Sequence, residues 1–180
     1  MTLDPVVGLL LLASFALLFA AAAAHKWRDL SQFAQALAAY ELLPAVTALR
    51  LHVLFPVVES AVAVGLLVPT TRRLAALGGT LLLLCYAGAM AVNLLRGRRD
   101  IACGCGGPDQ QRTIAAWMVW RNLLFGLLLA STLWPWSTRL LLPTDWLTLG
   151  AGFAAVIVIH QCGERLGEAM HRSRSWQRTT

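Results

Sequence analysis

The chain has 180 residues, of which 58% are hydrophobic and only 13% are charged, and its mean hydropathy is +0.64. This balance is too apolar for a soluble domain of this size and predicts a protein whose solvent is the lipid bilayer. The formal net charge is +6, but the basic residues lie beside predicted helix ends and in the C-terminal tail, as membrane-flanking residues do. We therefore predict no nucleic-acid partner and no separate soluble catalytic domain.

Five apolar segments are each long enough to cross about 30 Å of hydrocarbon at about 1.5 Å per residue. They lie at approximately 6–24, 49–68, 74–95, 114–134 and 146–162. The predicted fold class is an all-α integral membrane protein, a bundle of about five transmembrane helices with a four-helix core. Residues 1–163 form this single domain, and 164–180 form a basic C-terminal tail.

Two alternatives to this arrangement stay open. The fifth segment is the shortest, which leaves a four-span arrangement with a re-entrant or surface-lying last helix. The small residues from Ala20 to Ala24 also fit a cleaved signal peptide, although Asp4 and the lack of a preceding Lys or Arg favour a membrane span.

The segment from His25 to Pro44, which follows the first span, alternates apolar and polar residues at helical spacing. Trp27, Leu30 and Phe33 begin an approximate i, i+3, i+4 series that charged and amide side chains interrupt. This pattern predicts an amphipathic helix that lies on the membrane surface.

The second apolar segment contains a proline, Pro56, and a carboxyl group, Glu59, near its middle. A charged side chain at the centre of a spanning helix costs about 2.5–3.5 kcal/mol on insertion scales, so Glu59 is expected to be protonated or paired inside the bundle. Lys26 and Arg121 are the candidate partners. Such a pair could equally serve only to lock the helix packing.

The connection from Arg96 to Arg112 is long, rich in glycine and carries the sequence Cys103-Gly104-Cys105. Thiol–disulfide exchange needs one thiolate that attacks and a second cysteine that resolves the mixed disulfide, and two cysteines in one loop supply both. A disulfide that closes so small a ring is strained and hence oxidising. We predict Cys103 and Cys105 as the catalytic pair, with nearby arginines and the next helix N-terminus favouring the thiolate.

Two competing interpretations of the pair stay open, namely metal ligation and coincidence. A structural zinc site needs four ligands, and this loop offers two, with His25, His52, His160 or Cys162 as possible completions. We predict no metal. Cys85 lies inside the third span and is expected to be a small apolar core residue, whereas Cys162 ends the fifth span on the side of the pair.

With five spans, the surface helix, the cysteine loop and the tail share one face of the membrane. Lys26, Arg121, Asn122 and Cys162 are expected near that face, and Glu59 is expected beneath it near the middle of the second span. These five are the predicted supporting residues. Lys and Arg are concentrated there, whereas Arg72, Arg73 and Arg139 lie opposite, so the positive-inside rule directs the cysteines to the cytoplasm. Disulfide formation in exported proteins requires the opposite orientation. The sequence does not decide between them.

Taken together, these residues resemble the MauE family of methylamine-utilisation membrane proteins, related to the DoxX-like group. The resemblance rests on His25 to Asp29, Glu59, Asn93 to Gly97, Cys103 to Gly106 and Trp117 to Asn122. It implies a multi-pass protein of the plasma (inner) membrane. It also implies a role in maturing the disulfide-rich small subunit of methylamine dehydrogenase, alongside a thioredoxin-like partner of the MauD type.

The predicted function is therefore that of a membrane thiol–disulfide oxidoreductase or maturation factor for exported disulfide-containing proteins. Its partners are the lipid bilayer, the thioredoxin-like protein and the exported substrate. No cofactor is required by the sequence, and a quinone held between helices is one candidate electron acceptor. The alternative function is a non-catalytic membrane scaffold or chaperone whose cysteines are structural or bind a metal.

Overall fold

The structure is a computed structural model that describes residues 2–42, 44–99, 101 and 113–176. Cys103 and Cys105 lie outside the described residues. Seven α-helices occupy the described ranges, and the predicted all-α class is confirmed for them. The helices are α1 Pro5–Arg28, α2 Leu30–Ala39, α3 Ala45–Leu51, α4 Leu54–Leu67, α5 Arg72–Leu95, α6 Ala116–Ser131 and α7 Pro143–Trp176.

Two of these helices, α1 and α5, are long and apolar enough to cross a membrane, each with 24 residues and with mean hydropathies of 2.6 and 1.9. The apolar helices α4 and α6 and the apolar part of α7, Pro143–Val158, are shorter. Two such helices indicate a membrane protein. The predicted count of five spans is not established by the helix lengths.

The predicted second span, 49–68, is not one continuous helix. Helix α3 ends at Leu51 and α4 begins at Leu54. Pro56 lacks an N–H group and so cannot donate to the carbonyl four residues before it, and the helical ladder restarts where Val57 N donates to the oxygen of Val53 at 3.3 Å. The proline stands in the first turn of α4, where its effect on a helix is smallest.

The bundle core is formed by α1, α4, α5 and α6, with α7 packed along α1. These four helices meet at Gly79 on α5. A Cβ atom there would lie 2.8 Å from Leu129 on α6, 2.9 Å from Phe19 on α1 and 3.1 Å from Val62 on α4. The absence of a side chain at Gly79 is what allows four helices to close around one point.

The outer surface of the bundle is also apolar. Leu81, Leu127, Val64 and Leu147 are all more than 60% exposed, although they belong to four different helices. An apolar exterior on every helix of a bundle is expected when lipid covers it, and it would promote aggregation in water.

The segment between the first two core helices differs from the predicted surface helix of 25–44. Helix α1 continues through Arg28, so His25 and Lys26 belong to its last turn, and α2 is confined to Leu30–Ala39. Asp29 separates the two helices, because its Oδ1 accepts hydrogen bonds from Gln32 N and Ser31 Oγ, both at 2.8 Å. These bonds cap α2 and lower the pKa of the Asp29 carboxyl.

At the far end of the bundle, the chain start is joined to the connection between α6 and α7. Leu3 forms a parallel bridge with Trp136, and Arg139 binds both Asp4 and Asp145 at 2.8 Å. Helix α7 continues to Trp176, so the predicted tail is helical as far as that residue.

Candidate functional site

The ion pair between Lys26 and Glu59 is the most deeply buried charged group in the described part of the chain. Lys26 Nζ lies 2.7 Å from Glu59 Oε1 and 2.9 Å from Oε2, and the two side chains are 3% and 0% exposed. It joins the last turn of α1 to the second turn of α4. Of the two candidate partners for Glu59, the structure supplies Lys26.

Tyr86 on α5 completes this cluster, because its hydroxyl donates a hydrogen bond of 2.7 Å to Glu59 Oε1. The Lys26 ammonium lies 5.2 Å from the ring centre of Phe33 on α2 and 5.5 Å from that of Tyr86. Phe55 packs against both rings, edge-on to Phe33 at 5.8 Å and stacked on Tyr86 at 6.0 Å. A desolvated cation is stabilised by such ring faces.

Four helices thus contribute to one polar cluster, which we call the Lys26 cluster: Lys26, Phe33, Phe55, Glu59 and Tyr86. Helix α2 contributes only Phe33, whose ring covers the ammonium. Because every charged oxygen and nitrogen of the pair has a partner, the cluster fixes α1, α4 and α5 in one register.

The other predicted supporting residues do not join this cluster. Arg121 lies with its Cζ 5.2 Å from the ring centre of Trp117, one turn before it on α6. Asn122 donates to the oxygen of Met118 at 2.8 Å. Cys162 is exposed and is not part of a disulfide in the described structure.

Asn93, at the end of α5, is fully buried, and its amide donates to the oxygen of Ala89 at 3.2 Å. Its Oδ1 has no hydrogen-bond partner within the described ranges. Cys85, on the same helix, is exposed, in contrast to the predicted core position, so it faces outward from the bundle.

Helix α5 ends in a defined C-cap just before the cysteine loop. Gly97 adopts a φ of 76°, its N–H donates to the oxygen of Leu94, and Arg98 N donates to the oxygen of Asn93, both at 3.0 Å. This pair of bonds with a left-handed glycine is a Schellman motif. It fixes where Arg98 leaves the helix.

Arg98 then contacts the end of α2. Its Nη2 lies 2.7 Å from Glu41 Oε1, and Arg96 Nη1 donates to the carbonyl oxygen of Glu41 at 3.4 Å. Helix α2 and the start of the cysteine loop therefore lie at the same end of the bundle, as the shared-face prediction requires.

The two ends of the cysteine loop are held together. Ile114 N donates to the oxygen of Ile101 at 2.9 Å. Both isoleucines are buried in a small apolar cluster with Tyr40, Met90 and Met118. We call these five residues the loop root. The segment that carries Cys103 and Cys105 in the sequence thus starts and ends at one point on the bundle.

Three features of the site were not predicted from the sequence. They are the part of Tyr86, the contact of Phe33 with Lys26, and the part of Glu41. Tyr86 could have been found, because a hydroxyl in the interior of an apolar span needs a hydrogen-bond partner. The role of Glu41 could not, because it depends on a turn geometry that no sequence pattern specifies. No group of three or more His, Cys, Asp or Glu side chains converges among the residues that the structure describes.

The chain is similar to proteins of one family. Residues 4–135 match the profile of the family described as methylamine utilisation protein MauE. A protein named methylamine utilization protein MauE from Paracoccus denitrificans is 38% identical over 122 residues, which are 68% of this chain and 66% of that protein.

Two further proteins of that name support the comparison. The one from Methylophilus methylotrophus is 40% identical over 57% of this chain and 54% of its own length. The one from Methylorubrum extorquens is 35% identical over 84% of this chain and 81% of its own length. The chain thus spans about two thirds or less of the first two relatives. No solved structure matches the chain.

Proposed function

Because the chain belongs to the methylamine utilisation protein MauE family, we propose that it is a membrane thiol–disulfide oxidoreductase or maturation factor for exported proteins. Cys103 and Cys105 are the exchanging pair. Maturation of the small subunit of methylamine dehydrogenase, or a related process, is the proposed use.

The observation that carries this proposal is the loop root. A hydrogen bond between Ile114 and Ile101 closes the segment, and buried apolar packing fixes it on the bundle. The segment that carries the two cysteines in the sequence therefore begins and ends at a rigid base, at the end of the bundle that also holds α2. Catalytic residues are often found on loops that a rigid scaffold positions.

We propose that the exchange proceeds in two steps. A thiolate of the reduced substrate attacks one sulfur of the Cys103–Cys105 disulfide, and the sulfur that leaves takes up a proton. The second substrate thiol loses its proton, attacks the mixed disulfide and releases the reduced pair. The substrate loses two electrons and two protons, and the cysteine pair gains both.

We assign reoxidation of the pair to the disulfide of a thioredoxin-like partner of the MauD type, by the same exchange in the opposite sense. A quinone between the helices is a less suitable acceptor at the level of Gly79. There, side-chain atoms of Leu129, Phe19 and Val62 lie within 3.1 Å of the position that a Cβ of residue 79 would occupy. Our proposal therefore includes no step that uses a quinone.

We place the chain in the plasma (inner) membrane as a multi-pass protein. The long apolar helices α1 and α5 and the apolar exterior of the remaining core helices support this placement. The cysteine loop faces the extracytoplasmic side in our proposal, because disulfides persist in that compartment.

The experiment that tests the proposal is labelling of Cys103 and Cys105 in intact cells with a membrane-impermeant thiol reagent, before and after mild reduction. Cys85 and Cys162 are both exposed free cysteines, so both are first replaced by alanine. We expect labelling only after reduction. Labelling that appears only after cell lysis would overturn the outward orientation.

Single Cys103→Ser and Cys105→Ser variants test the chemistry. We expect each to lose exchange with a thioredoxin-like protein and one of them to accumulate a trappable mixed disulfide. Two results together would support the alternative of a non-catalytic scaffold. The wild-type disulfide would resist mild reductant, and each serine variant would still mature the substrate.

A further inference from the structure

Arg72 and Arg73 begin helix α5, and neither has an ion-pair partner in the part of the chain that the structure describes. The two acidic residues at this end of the bundle, Asp4 and Asp145, are both bound by Arg139. Its guanidinium donates to Asp4 at 2.8 and 3.1 Å and to Asp145 at 2.8 and 3.2 Å. Among the described residues, this end therefore carries two arginines without a counter-ion.

The Arg72 guanidinium is held in place by an aromatic ring. Its Cζ lies 4.2 Å from the ring centre of Trp136. The indole is itself fixed, because its Nε1 donates to the oxygen of Thr132 at 3.0 Å and its ring fills the space beside Gly8, where a Cβ would lie 2.7 Å away. A guanidinium that lies over a ring face leaves the N–H groups at its edge available to a planar or tetrahedral anion such as phosphate.

The outer face of α5 continues from Arg73 as an apolar stripe. Leu77 and Leu81 follow at intervals of four residues, and both are exposed. Cys85, at the next interval, is exposed as well. Residues four apart lie above one another on a helix, so the stripe runs about 18 Å along the axis at about 1.5 Å per residue. This is close to half of the hydrocarbon thickness of a bilayer, about 15 Å.

Two tryptophans indicate that this end of the bundle lies at the level of the lipid headgroups. Trp134 follows α6 and Trp146 lies in the first turn of α7, and they are 62% and 63% exposed. Exposed Trp at helix ends is typical of the membrane–water interface, where phospholipid phosphates also lie. In the multi-pass arrangement that we propose, with the cysteine loop outward, this end faces the cytoplasmic leaflet.

We propose that Arg72 and Arg73 form a binding site for an anionic phospholipid. The lipid phosphate is the counter-ion of the two guanidinium groups, and one acyl chain lies along Leu77 and Leu81. A zwitterionic phospholipid fits less well, because its ammonium group would meet carboxylates that Arg139 already binds. This site lies at the opposite end of the bundle from the loop root, and it does not depend on the exchange chemistry.

The exposed thiol of Cys85 provides a reporter for the test. Cys103, Cys105 and Cys162 are replaced by serine, Cys85 is labelled with bimane, and the full chain is reconstituted into phosphatidylcholine vesicles. Part of the lipid is then either phosphatidylglycerol or phosphatidylcholine with brominated acyl chains, and quenching by bromine at short range is compared. We expect phosphatidylglycerol to bind beside the label about tenfold more strongly, since each arginine near the surface contributes about a fivefold preference before screening by salt. Equal quenching by the two lipids would overturn the proposal.

Glutamine variants locate the preference on the two arginines. Arg73→Gln loses no contact with another described residue, so it should keep the wild-type thermal midpoint in lipid-free detergent while its preference falls to about threefold. Arg72→Gln should lose at least as much, and the double variant should quench equally with both lipids. A preference that survives in the double variant would place the lipid elsewhere and overturn the site.

A matched control and a competing anion complete the design. Arg28→Gln removes an exposed arginine from the opposite end of the bundle and should leave the preference unchanged, whereas an equal loss there would reduce the effect to overall charge and contradict the site. Inorganic phosphate, added at constant ionic strength, should not displace the lipid, because a free ion makes no contact with Leu77 and Leu81. Displacement by phosphate would show a free-anion site and overturn the lipid as its occupant.

Discussion

Lys26 and Glu59 form a two-pronged ion pair between the end of α1 and the start of α4, with Nζ 2.7 Å and 2.9 Å from the two carboxylate oxygens. Neither side chain is more than 3% exposed. A buried pair of this kind is strongly destabilising to break on one side, and much less so to replace as a whole.

We therefore expect Lys26→Met and Glu59→Gln to lower the free energy of unfolding by about 3–5 kcal/mol each. The double variant should lose far less than the sum, since the amide that replaces the Glu59 carboxylate still accepts from Tyr86 and no unpaired charge remains. The measurement is an unfolding titration in mixed detergent micelles. Additive losses in the double variant would show that the two charges are not coupled.

The Tyr86 hydroxyl donates to a charged acceptor, and Tyr86→Phe removes it while the ring remains over Lys26. We expect a loss of about 1.5–3 kcal/mol of unfolding free energy. In a Glu59→Gln background, the same change should cost only about 1 kcal/mol, because the acceptor is then neutral. Equal losses in both backgrounds would contradict a charge-assisted bond.

Gly79 and Gly78 are neighbours on α5 with opposite surroundings. A Cβ at Gly79 would meet side chains of three other helices within 3.1 Å, whereas at Gly78 the nearest atom, on Val62, is at an ordinary 3.6 Å. We expect Gly79→Ala to cost about 1–3 kcal/mol through overpacking. Gly78→Ala is the control and should stabilise the helix by up to about 1 kcal/mol. Similar thermal midpoints for the two variants would show that the helices do not close at Gly79.

Arg139 lowers the pKa of both Asp4 and Asp145 through its hydrogen bonds, so both carboxyls titrate below their ordinary value of 3.8 in the folded protein. Because each pKa is lower in the folded than in the unfolded protein, the two carboxylates stabilise the fold at pH values above their unfolded pKa. This stability is lost as the pH falls through the folded pKa values. We expect Arg139→Gln to lower the thermal midpoint at pH 6, and the gap to the wild type to close as the pH falls below 3.8. Arg73→Gln, at an exposed position of the same end, should follow the wild type at every pH.

Composition and apolar segment lengths predicted the helical class and the membrane environment, since both depend on properties that any window of the sequence displays. The break between α3 and α4 was not predicted, although Pro56 was noted. The position at which a proline interrupts a helix depends on which carbonyl oxygen loses its hydrogen-bond donor. It also depends on whether another group can donate to that oxygen. Likewise, Asp29 divides the predicted surface helix because its side chain caps α2. The sequence does not specify this cap, because the same residues are compatible with several turn conformations.

The buried pair shows the same limit more sharply. Sequence alone indicated that Glu59 needs a partner and offered both Lys26 and Arg121. The choice depends on the rotation of two helices about their axes, and the structure places Arg121 against Trp117. The loop root and the Glu41 contact depend on residues far apart in the chain, whose proximity no local pattern encodes.

The order of Lys26 and Glu59 along the chain has a consequence for biogenesis. Lys26 lies in the last turn of α1, so its flexible stem can carry the ammonium to the interface while the rest of the chain is still being synthesised. Glu59 lies inside α4 with a shorter stem, and unpaired it would add about 2.5–3.5 kcal/mol to insertion. In the multi-pass arrangement that we propose, translation delivers Lys26 first, so the Glu59 carboxylate enters a bilayer in which its cationic partner is already present. An insertion intermediate that contains α1 should therefore accept α4 more readily than a membrane without it.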